Sequence, residues 1–76
     1  MSLKEQPLKS WIPGTVTEVK IKPNDLVKMG DVVCVVETGS GKLDVPSLHS
    51  GQVKDVMVSK GTRLGMGAIM ANLRRD

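Results

Sequence analysis

The chain has no tyrosine and no phenylalanine, and Trp11 is its one tryptophan. A platform for single-stranded nucleic acid needs several aromatic faces on which bases stack, so this composition argues against that class. Cys34 is the sole cysteine, which excludes an internal disulfide and favours a reducing, cytoplasmic setting. His49 is the sole histidine, and no cluster offers the roughly three ligands that a metal site requires. No run approaches the 18 or so consecutive apolar residues of a membrane span, and no signal-peptide core is visible at the start. The formal charge of +3 comes from lysines and arginines scattered along the chain. Such scatter describes a solvated surface rather than a nucleic-acid patch. With 76 residues the chain makes one domain. A domain of this size buries only about 60% of its unfolded surface, so Val, Ile, Leu and Met must supply the core.

What the chain does contain is a repeat. Sliding the sequence against itself by 37 residues brings Gly14 onto Gly51, Val16 onto Val53, Val19 onto Val56 and Ile21 onto Val58. Further along, Val27 meets Leu64, Gly30 meets Gly67, Val32 meets Ile69 and Val36 meets Leu73. Two copies are too few for a solenoid. They are expected to pair about a two-fold axis into one small sandwich.

The local patterns are those of strands. Val19 and Ile21 keep a period of two, whereas Val16 is out of phase, and Val53, Val56 and Val58 repeat the irregularity. An out-of-phase residue at equivalent places predicts a β-bulge in each copy. Lys22-Pro23-Asn24-Asp25 reads as a turn with Asn24 left-handed, and Gly61 holds the equivalent place. The β-branched run Val32-Val33-Cys34-Val35-Val36 predicts a buried strand, and residues 68–73 a last strand. Residues 1–9 show no periodicity and are assigned as a flexible tail or a partly attached first strand, with the domain over 10–76. No capped helical pattern is present, so the fold class is all-β. Trp11 is expected to cover one end of the barrel.

At the centre, the valine strand meets Glu37-Thr38-Gly39-Ser40-Gly41-Lys42, a glycine-flanked hairpin tip. Gly39 and Gly41 can both take the positive φ that tight hairpins demand. Gly-Ser-Gly-Lys is not a phosphate-binding loop. The first glycine of that motif would fall on Val36, and Leu43 occupies the Ser/Thr place.

These residues resemble the biotinyl/lipoyl carrier domains from Ile12 to Leu73. Pro13-Gly14-Thr15-Val16 is similar to the opening of biotin carboxyl carrier domains, and Glu37-Thr38 with Asp44-Val45-Pro46-Ser47 to a lipoyl hairpin. The resemblance implies a flattened β-barrel of two four-stranded antiparallel sheets with pseudo-two-fold symmetry. It also implies a lysine at the hairpin tip, joined to biotin or lipoate by an amide. Counting from Glu37 forwards or from Pro46 and Gly51 backwards, that position is Ser40, which has no amine. By the same resemblance Glu37, Thr38, Gly39 and Gly41 form the presenting hairpin. Three readings of the tip follow. The arm is lost and the domain docks or assembles without a cofactor; or Lys42 carries biotin or lipoate as a displaced site; or Ser40 bears another modification. The first is taken as the expectation. The domain is then non-catalytic, without nucleic-acid or membrane partners. Its expected partners are enzymes or subunits of a carboxylase or 2-oxo acid dehydrogenase-like complex, together with a biotin or lipoyl ligase if the tip is modified.

Overall fold

The computed structural model describes residues 4–75. Eight strands follow in chain order: β1 (Lys4–Lys9), β2 (Gly14–Val19), β3 (Leu26–Val27), β4 (Val32–Thr38), β5 (Gly41–Pro46), β6 (Gly51–Val56), β7 (Arg63–Leu64) and β8 (Ile69–Arg75). They form two four-stranded antiparallel sheets, in the orders β1-β8-β6-β3 and β5-β4-β2-β7. Among the described residues there is no helix. The sheets enclose one apolar core that includes Val16, Val33, Val36, Val45, Val53, Met70 and Leu73, all nearly inaccessible to solvent. Each such side chain contributes about 1.5–3 kcal/mol by leaving water.

The 37-residue repeat is a repeat of structure. Each strand of the first half has its counterpart one repeat later, so the two sheet orders are the same list read through the repeat. The predicted bulges are present. In the β2–β4 ladder Val16 pairs with Val36 and Glu18 with Val35, leaving Thr17 as the extra residue; in β6–β8 the shift falls between Val53 and Asp55. The extra residue restores the phase, so both Val16 and Val19 turn towards the core while Glu18 stays in water. The turns repeat as well. Asn24 has φ 78° and Gly61 φ 95°, the left-handed pair expected. Two buried serines cap equivalent turns. The Ser10 hydroxyl donates to Ile12 O and accepts Ile12 N–H, and the Ser47 hydroxyl does the same with His49.

One expectation is corrected. Residues 4–9 are not a flexible tail: they form β1, paired residue by residue with β8 from Lys4 with Arg75 to Leu8 with Ala71. Their composition hides this because β1 is an edge strand, where Leu8 is the one buried side chain among those described. Residues 1–3 of that assignment lie outside the described residues. Trp11 is 51% exposed, and Ile12 beside it is buried.

Candidate functional site

β4 and β5 are joined by the two-residue turn Gly39-Ser40. Their ladder pairs Val36 with Leu43, Glu37 with Lys42 and Thr38 with Gly41. β4 is flanked by β2, whose pairing with it ends at Thr15 opposite Glu37, so the last pair and the turn project beyond the sheet. The base of this projection is gripped closely. A Cβ on Gly14 would sit 2.7 Å from the Glu37 carbonyl oxygen, so only glycine lets β2 approach there.

The tip is braced by one side chain. Thr38 Oγ1 accepts the Ser40 N–H at 3.1 Å and donates to Gly41 O at 2.9 Å, which ties both sides of the turn to one hydroxyl. The positive φ falls on Gly41 alone, at 124°, and not on Gly39. The demand for left-handed backbone therefore lies just after the turn, as in hairpins where a turn is followed by a glycine bulge. Gly39, Ser40, Gly41, Lys42, Leu43 and Asp44 are all exposed.

Ser40 stands in the turn and Lys42 does not. Lys42 pairs across the ladder with exposed Glu37, while the neighbouring pair contains buried Val36. Its side chain therefore stands on the outer face of the hairpin, roughly 7 Å along the strand from Ser40. Bringing Lys42 to the turn by a two-residue slip would carry Leu43 away from Val36 and Val45 away from Cys34. An amide-linked arm needs an amine at the turn, and Gly39, Ser40 and Gly41 offer none, so the turn does not fit such a group. Among the described residues no three metal-ligating side chains converge. Cys34 is fully buried and free, and burial pushes its thiol above the ordinary value of 9.0. It is a core residue and not a nucleophile.

The biotin/lipoyl family model, described as biotin-requiring enzyme, matches residues 8–73. The chain belongs to the biotinyl/lipoyl domain family. Among relatives of this family, the mitochondrial propionyl-CoA carboxylase alpha chain of Sus scrofa is 35% identical over 87% of this chain and 9% of its own length. The dihydrolipoyllysine-residue acetyltransferase component of the pyruvate dehydrogenase complex of Buchnera aphidicola is 31% identical over 76% of this chain and 14% of its own. In fold, a single-chain, multi-domain long-chain acyl-CoA carboxylase matches with TM-score 0.82 over 95% of this chain and 7% of that one, at 22% identity. The chain thus spans only a small part of the proteins it resembles. Biotinyl/lipoyl domains are carriers without catalysis of their own.

The sequence named Glu37 to Lys42 as the hairpin, and the structure brings these residues together. It missed two contributors. The Thr38 hydroxyl brace is invisible in a residue pattern, because it depends on the geometry of the turn. Gly14 was visible as a repeat match with Gly51 and within Pro13-Gly14-Thr15-Val16, but its close approach to Glu37 was not.

Proposed function

We propose that this biotinyl/lipoyl domain has lost its prosthetic arm and serves as an unmodified, non-catalytic docking or assembly module in the cytoplasm. The observation that carries the reading is Ser40 in the turn between two glycines, at the place where the family resemblance implies a lysine. The hairpin keeps the features of a presenting device: a firm base at Gly14, a braced turn and an exposed edge strand. It lacks the amine that a biotin or lipoyl ligase acylates. Its partners on this reading are enzymes or subunits of an assembly like those of its relatives, a carboxylase or a 2-oxo acid dehydrogenase complex. They would meet the bare hairpin rather than a swinging arm.

The test is an intact mass of the protein produced in cells with active biotin and lipoyl ligases, beside a control domain that both modify. The expected result is the unmodified mass. A biotinyl or lipoyl increment mapped to Lys42 would replace this reading with that of a carrier whose attachment point has moved onto the strand. An increment of any kind on Ser40 would replace it with that of a domain modified at the turn.

A further inference from the structure

The duplication gives the molecule two equivalent grooves, each lying along the glycine-containing end of one half. One runs beside the hairpin tip and is lined by Gly14, Thr15, Glu37, Thr38, Arg63 and Leu64, among others. The other, of about 470 Å3, is lined by Leu26, Lys28, Gly51, Gln52, Arg74 and Arg75 with their neighbours. The backbone is shared. Gly51 lets β6 approach β8, since a Cβ there would sit 2.9 Å from Arg74 O, as Gly14 does for β2 and β4.

The side chains have diverged in charge. Where the tip groove has Glu37 and Thr38, the second has Arg74 and Arg75; where the tip groove has Arg63, the second has Leu26. Arg74, Arg75 and Lys28 are exposed, and among the described residues none of them has an ion-pair partner. Among the described residues no acid lines this groove. Asp25 and Asp31 accept the backbone N–H groups of Lys22 and Lys28, and Glu5 pairs with Lys54. Beside the three cations, Leu26 is 80% exposed.

We infer that this second groove, between β3 and the end of β8, is a docking site for an acidic peptide segment carrying an aliphatic side chain. The arginines suit carboxylates, which their planar fork engages through paired hydrogen bonds. Leu26 supplies the apolar contact that free carboxylates or phosphate would leave unused. A polynucleotide is the weaker fit, because no aromatic face lies in the groove for a base to stack on. The inference concerns a different face from the hairpin tip and holds whether or not Lys42 is acylated, so the two readings fail separately.

The experiment is an amide NMR titration of the 76-residue chain at low salt with the peptide acetyl-Glu-Leu-Glu-Glu-Leu-Glu-amide. Its glutamine counterpart and an eight-residue oligothymidylate serve as comparisons. Saturable shifts are expected at Leu26, Lys28, Gln52 and Arg74 and not at Thr15 or Thr38. They should vanish with the glutamine peptide and weaken as salt screens the charges. Arg74→Glu with Arg75→Thr, the side chains of the tip groove, should weaken binding by about tenfold. Should that pair of changes disturb the fold, Arg75→Gln alone should weaken it by about twofold to threefold. No saturable shift, equal shifts in both grooves, or tighter binding of the oligothymidylate at these residues would each overturn the inference.

Discussion

Glycine to alanine is one chemical change, and in this domain its effect should depend on position in a way that the structure dictates. At Gly14 the new Cβ would meet the Glu37 carbonyl oxygen at 2.7 Å and its carbon at 3.3 Å. Both are backbone atoms within the β2–β4 ladder and cannot swing away as a side-chain end could. Alanine restricts the unfolded chain and so contributes about 0.4–1 kcal/mol of stability on its own. Forcing the strands apart costs more, typically about 1–3 kcal/mol. With the contact this short the upper part of that range applies, leaving a net loss of about 2 kcal/mol. Gly51→Ala should lose a similar amount, because Arg74 O at 2.9 Å and the Leu73 Cβ at 3.2 Å stand in the equivalent places. Gly41 has open space around it but φ 124°, so there the loss is backbone strain, about 1 kcal/mol after the unfolded-state gain. Gly39 has open space and no positive φ, so alanine should be neutral or stabilise by a few tenths of a kcal/mol. A domain this size has about 4–11 kcal/mol of stability, so the difference between the first and last variants is readily measured. Urea unfolding at equilibrium is the assay, with thermal midpoints as a check; a loss of about 2 kcal/mol should lower Tm by about 8–16 °C. Gly39→Ala costing as much as Gly14→Ala would refute the argument, since the loss would then follow from glycine itself and not from what surrounds it.

Other perturbations test other parts of the molecule. Ser40→Lys places an amine in the turn without changing its neighbours, and a lipoyl or biotinyl increment is expected by mass spectrometry in cells with the ligases. A folded variant that stays unmodified would show that the residues beside the turn also decide recognition. Ser10→Ala should cost about 1–3 kcal/mol, because it leaves the buried Ile12 carbonyl and N–H without their hydroxyl partner, and Ser47→Ala should cost less, because the His49 backbone groups are only half-buried and water can reach them. The two losses should add in the double variant, and Ser47→Ala costing more than Ser10→Ala would contradict the argument from burial. The Cys34 thiol is raised above 9.0 by burial, so the folded protein holds that proton more tightly than the unfolded chain. Its contribution is therefore complete below 9.0 and is lost as the pH rises past it. Stability measured against pH should fall there more steeply in the parent than in Cys34→Ala, and parallel curves would contradict the burial argument.

Much of the architecture was written in the sequence, because a period of two and a repeat of glycines and valines are local and countable. The bulges could be read from the phase error at Val16 and Val53, and the left-handed turn residues from Asn24 and Gly61. The hairpin could be read from the glycine-flanked break that ends the apolar run Val32-Val33-Cys34-Val35-Val36. What the sequence could not carry were relations across the fold. Residues 4–9 show no pattern, since an edge strand presents little surface to the core, and only pairing with β8 makes them a strand. Trp11 is the largest apolar side chain, yet the turn capped by Ser10 buries Ile12 and leaves the tryptophan half-exposed. Lysine at position 42 and serine at position 40 are plain in the sequence, but that one stands on the outer face and the other in the turn depends on register. That register is held by buried pairs such as Val45 with Cys34. The different charges of the two grooves, one acid and one arginine beside the tip against three cations in the other, belong to the same class. Arg74 and Leu26 are far apart in the chain, and only the packing of β3 beside β6, and of β6 beside β8, brings them to one surface.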